Sequence, residues 1–478
     1  MNRAVIVRVI GLILGIEAVC MLPSFAVALL TQGADAQAFA IAICLCAAVG
    51  LPLYRVRAEN ARFKTRDGFV AVALCWLALG IFGAVPYALC GFSYVDALFE
   101  TVSGFTTTGA TILAAPSALP RGLQLWRALT QWMGGMGVLV MVLALLPSLG
   151  EGSVNLMKAE SPGPISSKLL PRTSETAKSL YIIYIILTLT EAAALRIAGM
   201  PVFDSITTAF TTISTGGFSI RDASIAYYGS EAINWIIFVF MFVSAINFSV
   251  LFQVQRGQWR DALKSEELHV YVGLTFGVIA LIAAELVLRC GQGVYESVAQ
   301  SAFQVTTLMS TTGYATVDFD LWPNFSKSLL LLVMLVGGSA GSTSGGMKVS
   351  RIIILFKGLK RELRRILHTR EVRPLTLEGA RVDEGTVSSV SVFFFVYIVI
   401  FLLCGVVVSL EGIDIVSAFT ASLTAISNVG PGLNLLGPTC NFSFLSGLSK
   451  IVLTIEMLAG RLEIMPLLVL LFPSVWKK

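Results

Sequence analysis

Four short stretches of the chain lead into a glycine in a pattern suited to holding an ion, the first three of them rich in threonine and serine. The first reads Ser103-Gly104-Phe105-Thr106-Thr107-Thr108-Gly109-Ala110-Thr111, and the second Thr212-Ile213-Ser214-Thr215-Gly216-Gly217-Phe218-Ser219. The third reads Met309-Ser310-Thr311-Thr312-Gly313-Tyr314-Ala315-Thr316, and the fourth Ile426-Ser427-Asn428-Val429-Gly430-Pro431-Gly432. Potassium holds its water loosely enough for a ring of backbone carbonyls to replace it. A loop that aims its carbonyls at one axis needs an unusual backbone angle, which glycine reaches at positive φ without steric cost. Small hydroxyl residues before it add an oxygen or brace the loop. The candidate coordinating residues are Thr107, Thr108 and Gly109; Ser214, Thr215 and Gly216; Thr311, Thr312 and Gly313; and Asn428, Val429 and Gly430. The fourth set departs from the Thr/Ser pattern, so cation conduction is the firmer expectation and strict potassium selectivity the weaker.

One such stretch would be ordinary turn material. Four of them are a repeat, because Gly109, Gly216, Gly313 and Gly430 lie 107, 97 and 117 residues apart by subtraction of their numbers. Each follows about three turns of apolar-faced helix, with Asp96-Ala97-Leu98-Phe99, Asp204-Ser205-Ile206, Ala302-Phe303 and Ala418-Phe419 at matching places. Such a half-helix directs its partly negative C-terminal end at the loop, which favours a cation.

Other chemistry lacks the material. The chain has two histidines, His269 and His368, both in or beside basic loops, so no histidine dyad or metal cluster is expected. Gly337-Gly338-Ser339-Ala340-Gly341 matches a nucleophile-elbow pattern only by chance, because the strand-to-helix turn and histidine it requires are missing. Gly345-Gly346-Met347-Lys348 lacks the spacing of a phosphate loop. No enzymatic activity, bound cofactor or nucleic-acid partner is expected. The eight cysteines form no disulfide pattern; Cys290 and Cys440 are both placed to reach the outer face.

The elements that must position these loops are membrane spans. Of 478 residues, 56% are hydrophobic and 13% charged, against about 25% charged in an average soluble domain. A spanning helix takes roughly 20 apolar residues, and about ten candidates recur. They are 4–30, 38–53, 69–89, 128–149, 180–197, 233–252, 270–288, 328–338, 390–410 and 448–471. The first, long and carrying Glu17 and Pro23, reads as a retained helix rather than a cleaved leader. The expected fold is an all-α polytopic membrane protein. Two N-terminal spans (1–66) precede four helix/pore-loop/helix repeats, at 67–177, 178–266, 267–384 and 385–478, around a pseudo-fourfold pore. Lys and Arg cluster in alternate loops, most densely at Arg351, Lys357, Lys360, Arg361, Arg364, Arg365, Arg370 and Arg373. That puts these loops and the N-terminus in the cytoplasm.

The span after the third loop is interrupted by Gly337-Gly338-Ser339-Ala340-Gly341-Ser342-Thr343-Ser344-Gly345-Gly346-Met347-Lys348. So many glycines and hydroxyls cannot make a sturdy helix. The functional reading is a gate below the filter, with Gly337, Gly338, Ser339, Gly341, Ser342, Gly345, Gly346 and Lys348 as its residues; the alternative is close packing through small residues. Arg461 lies roughly 21 Å into the last span at 1.5 Å per residue. A cation at that depth by default suggests function, here an electrostatic barrier in the pore; the alternative is an ion pair with Glu463 or Glu456.

Taken together, this arrangement resembles the Trk/Ktr/HKT superfamily of cation transporters. Gln131-Trp132-Met133-Gly134-Gly135-Met136-Gly137, Gly460-Arg461-Leu462-Glu463 and the extra N-terminal pair of spans are similar to the bacterial TrkH/TrkG branch. The resemblance implies gated potassium uptake down the electrochemical gradient across the bacterial inner membrane, with K+ at the filter residues. It also implies a homodimer with one pore per subunit in the lipid bilayer, and a peripheral cytosolic nucleotide-binding Trk subunit that controls opening. A sodium-permeable or ion-coupled symporter is the alternative.

Overall fold

The computed structural model describes residues 3–57, 65–137, 173–368 and 374–476. Two antiparallel helices, Arg3–Leu30 and Ala36–Tyr54, come first. They pack closely where small residues meet, since a Cβ on Gly11 would sit 2.4 Å from the Tyr54 nitrogen.

Four repeats follow. Each opens with a long helix: Thr65–Gly83, continued by Val85–Leu89, then Thr173–Ile197, Glu266–Cys290 and Glu384–Val408. Each continues with a pore helix: Tyr94–Phe105, Val202–Ile213, Val294–Met309 and Ile415–Ser427. The pore helices start where an acid suits the positive helix end, at Asp96, Asp204 and Glu296, or at the capping Asp414, which accepts from the Ser417 amide. Six of the described helices are long and apolar enough to cross a bilayer.

The second helices depart from the expected continuous spans. Arg121–Gly135, Glu231–Ser244, Asn324–Val336 and Gly447–Arg461 stop after 15, 14, 13 and 15 residues. Only the third of these breaks is expected from sequence. The apolar run 233–252 is two helices, Glu231–Ser244 and Phe248–Gln255, bent by 100°. Asn247 caps the new helix by accepting from the Ser249 amide at 2.8 Å, which hydropathy does not register. The run 448–471 breaks at Glu463 (φ 53°) and Ile464 (φ 68°), and resumes as Met465–Leu471. Part of the run 128–149 lies outside the described residues, as do Arg370 and Arg373. A two-stranded antiparallel hairpin, Thr376–Leu377 with Ala380–Arg381, follows the basic helix Val349–Leu367. Cys290 and Cys440 are exposed and free.

The buried cores close the repeats into a ring. One core joins the N-terminal pair, the first repeat and the fourth, with Phe99 and Phe105 beside Met457 and Leu458. A second joins the third and fourth repeats, and a third joins Ile237 and Met241 of the second repeat to Phe303 and Tyr314 of the third. Lys450 pairs with Asp96 at 2.6 Å across the fourth and first repeats. Arg127 pairs with buried Glu100 at 2.8 Å and donates to the Ser219 carbonyl at 2.8 Å, tying the first repeat to the second.

Candidate ion filter and gate

All four pore helices end in the same backbone motif. The amides of Thr107, Thr215, Thr311 and Asn428 donate three residues back, to the carbonyls of Gly104, Thr212, Leu308 and Ala425. The next amides, of Thr108, Gly216, Thr312 and Val429, donate five residues back, to Ser103, Thr211, Thr307 and Thr424. This paired pattern is a Schellman cap, whose left-handed residue is usually glycine. Here it is Thr107 (φ 56°), Thr215 (φ 54°), Thr311 (φ 59°) and Asn428 (φ 54°). Three β-branched residues in that conformation at matching positions hold backbone strain of the kind that clusters at functional sites.

Two residues further on, each loop has a glycine at positive φ: Gly109 (81°), Gly217 (71°), Gly313 (84°) and Gly430 (109°). In the second repeat this corrects the register read from sequence, where Gly216 was expected in that role. Two consecutive glycines leave the choice open in sequence, and the Schellman hydrogen bonds decide it. The fourth loop differs in side chains, not in backbone.

The glycines sit in a closed ring of carbonyls. A Cβ on Gly109 would lie 2.3 Å from the Gly216 oxygen, and one on Gly217 would lie 1.7 Å from the Thr312 oxygen. On Gly313 it would lie 2.1 Å from the Val429 oxygen, and on Gly430 2.9 Å from the Thr108 oxygen. Each glycine thus abuts the carbonyl before the equivalent glycine of a neighbouring repeat, and the fourth contact returns to the first loop. Any side chain at these positions would intrude on that ring. Thr107 Oγ1 and Asn428 Oδ1 are buried at the cap positions without a protein hydrogen-bond partner. The Asn428 Nδ2 donates to Thr108 Oγ1 and to the Met457 carbonyl, both at 2.9 Å. Ser214, expected among the coordinating residues, precedes the left-handed Thr215 and donates its hydroxyl to the Thr211 carbonyl at 3.3 Å.

The glycine-rich loop between Val336 and Val349 is non-helical, as expected, with Gly337, Gly341 and Gly346 at φ 71°, 69° and 75°. It leaves the membrane helix and returns beside it, Met347 and Lys348 donating to the Leu335 and Val336 carbonyls at 3.1 and 2.9 Å. In between it lies against the C-terminal ends of the pore helices. The Thr343 hydroxyl donates to the Ile213 carbonyl at 3.1 Å, and the Gly346 amide to the Ser427 carbonyl at 2.8 Å. The Gly345 amide donates to Thr311 Oγ1 at 2.6 Å. Gly338 packs on Ser344, whose hydroxyl pairs with that of Ser342 at 2.6 Å, and the Ser339 amide donates to Ala245 at the break of the second repeat. Lys348 is buried and donates to the Ser344 carbonyl, so it closes the loop on itself.

Arg461 connects this loop to the first repeat. Its guanidinium donates to the Thr343 carbonyl at 2.9 Å, to Gly135 at 2.6 Å and to Gly134. The two glycine carbonyls end the helix Arg121–Gly135, where a cation is favoured. The acids considered as its partners are engaged elsewhere: Glu463 pairs with Arg351, and Glu456 accepts from the Ser422 hydroxyl at 2.6 Å. Sequence reading missed this clamp, together with Gln131, which contacts the second loop. Arg461 was signalled by its depth in the last span and by the phrase 460–463, Gln131 only by the phrase 131–137.

Comparison with known proteins agrees with this architecture. The TrkH family model, described as a cation transport protein, matches residues 35–259 and 280–478. The Trk system potassium uptake protein TrkH of Escherichia coli K12 is 37% identical over 492 residues, covering 100% of both chains. TrkG of the same strain is 32% identical over 479 residues, covering 99% of this chain and 98% of its own. The crystal structure of the potassium transporter TrkH from Vibrio parahaemolyticus superposes with a TM-score of 0.89 at 36% identity over 100% of both chains. With a family match across most of its length and relatives alike from end to end, the chain belongs to the TrkH family of cation transport proteins.

Proposed function

We propose that this multi-pass membrane protein takes up potassium through a gated filter formed by the four glycine loops. The observation that carries the reading is the closed contact of the Thr108, Gly216, Thr312 and Val429 carbonyls with the glycines of neighbouring repeats. Carbonyl oxygens from four loops replace the ion's water, and the buried Thr107 and Asn428 side-chain oxygens add acceptors beside them. The pore-helix C-termini supply a favourable field. Membrane potential contributes about 2.3 kcal/mol per charge per 100 mV, so uptake needs no hydrolytic step in this chain.

The loop 337–348 is the gate, held closed by Arg461, which also places positive charge below the filter. The chain sits in a bacterial inner membrane with its N-terminus in the cytoplasm, an orientation supported by basic segments such as Lys357–Arg365. It works as a homodimer with one pore per subunit. A cytosolic nucleotide-binding Trk subunit opens it, in keeping with relatives named as parts of a Trk system. The test is rubidium-86 uptake by proteoliposomes holding the chain alone, competed with sodium and cesium. Uptake that rubidium and potassium saturate and sodium leaves unaffected supports the reading; equal competition by sodium refutes selectivity.

A further inference from the structure

The residue after each left-handed cap residue supplies one ring carbonyl, and its side chain differs from repeat to repeat. Thr108 pairs its hydroxyl with Thr106 at 2.8 Å, and Thr312 pairs its hydroxyl with Ser310 at 2.7 Å. Val429 is fully buried in the apolar core of the third and fourth repeats. Gly216 has no side chain to anchor it and is followed by a second glycine, so this loop has the greatest backbone freedom of the four.

Another repeat fills the space. A Cβ on Gly216 would lie 2.3 Å from Cδ, 2.5 Å from Oε1 and 2.7 Å from Nε2 of Gln131. Gln131 is fully buried and comes from the second helix of the first repeat. Its Nε2 donates to the Gly216 carbonyl at 2.6 Å, and its Oε1 accepts from the Phe218 amide at 3.0 Å. Both ends of the carboxamide are used, and the opposite orientation would set oxygen against oxygen. The two bonds bracket Gly217, the residue at φ 71°. A carbonyl oxygen has two lone pairs, so the Gly216 oxygen keeps one for the ring while Gln131 holds the other.

We propose that Gln131 is a positioning residue for ion selection: its carboxamide stands in for the side chain that Gly216 lacks and fixes the Gly216 carbonyl, and so limits how far the pore admits sodium. This rests on the filter reading above. Gln131 is not a ligand of the ion; it acts through Gly216.

The test uses rubidium-86 uptake with sodium competition in proteoliposomes, alongside thermal stability of the purified full chain. Gln131→Ala leaves the carbonyl untethered, and discrimination should fall about tenfold, as expected for one lost buried hydrogen bond. Gly216→Thr alone collides with the carboxamide and should lower uptake and folded yield. The double variant, Gln131→Ala with Gly216→Thr, should recover discrimination, because the new hydroxyl can pair with Ser214 as Thr312 pairs with Ser310. The backbone permits it, since Gly216, unlike Gly217, is not at positive φ. Recovery is the outcome a merely structural role for Gln131 would not produce. A double variant no more selective than Gln131→Ala overturns the proposal, as does Gln131→Ala with unchanged discrimination. Should Gln131→Ala fail to fold, Gln131→Met keeps the length of the side chain but loses both hydrogen bonds, and unchanged discrimination there is equally fatal. Gly313→Ser is the control: if it too leaves discrimination intact, the filter reading itself fails; if it alone loosens selection, only the role of Gln131 does.

Discussion

The Gly345 amide donates to the Thr311 hydroxyl over 2.6 Å, fastening the glycine-rich loop to the left-handed cap residue of the third pore helix. The bond joins the proposed gate to the proposed filter, so a change in one should be felt in the other.

Thr343 is the anchor that can be tested without touching the filter. Thr343→Val keeps the shape but removes the hydroxyl bonded to the Ile213 and Ser244 carbonyls at 3.1 and 3.2 Å. Leaving buried acceptors unmet costs about 1–2 kcal/mol. Flux through the chain alone should therefore rise roughly 5- to 30-fold. Shortening 337–346 should give constitutive flux; unfolded protein instead would favour packing over gating. Vesicle rubidium uptake reads both.

Arg461 separates charge from geometry. A guanidinium fork bridges three carbonyls, whereas lysine offers a compact point charge. If positive charge sets the barrier, Arg461→Lys should conduct like the parent and Arg461→Ala should conduct more. If the clamp on Thr343, Gly134 and Gly135 keeps the loop closed, both variants should leak alike. Single-channel conductance beside melting temperature distinguishes these, and a large loss of stability with unchanged conductance would mark Arg461 as purely structural.

The register of the second loop predicts an asymmetry between adjacent glycines. Gly217→Ala puts a methyl 1.7 Å from the Thr312 carbonyl oxygen at φ 71°, and should abolish selective uptake. In a Gln131→Ala background, Gly216→Ala meets the space the carboxamide vacated and should be tolerated. Equal sensitivity at both positions would refute the assigned register.

The Glu100–Arg127 pair predicts a non-additive stability cycle. Both side chains are buried, at 1% and 2% exposure. Breaking such a pair from one side leaves a buried charge and costs about 3–5 kcal/mol. Arg127→Met should therefore destabilise more than Arg127→Met combined with Glu100→Gln, by thermal melts in detergent. Additive losses would mean the pair is not coupled.

The class of fold was legible because a bilayer imposes apolar length, basic sidedness and broken backbone only where something covers it. Those constraints are local, so they are written in runs such as 390–410 and in the clusters around Lys357. The third break was legible for the same reason: 337–346 is too rich in glycine to stay helical. The breaks at Ala245 and Glu463 were not, because the first comes with an Asn247 cap and the second with two residues at positive φ whose amides turn back to the Gly460 and Ala459 carbonyls.

At the site, the sequence by itself determined that four glycine loops recur at near-regular spacing, the first three rich in Thr and Ser and the fourth not. Only the tertiary structure decided that Gly217 rather than Gly216 takes the strained angle, and that Gln131 and Arg461 reach into neighbouring repeats. The reason is physical. Positive φ and close approach are demands each segment makes on its own residues, whereas a ring of carbonyls, and the side chains bracing it, exist only once four distant segments meet.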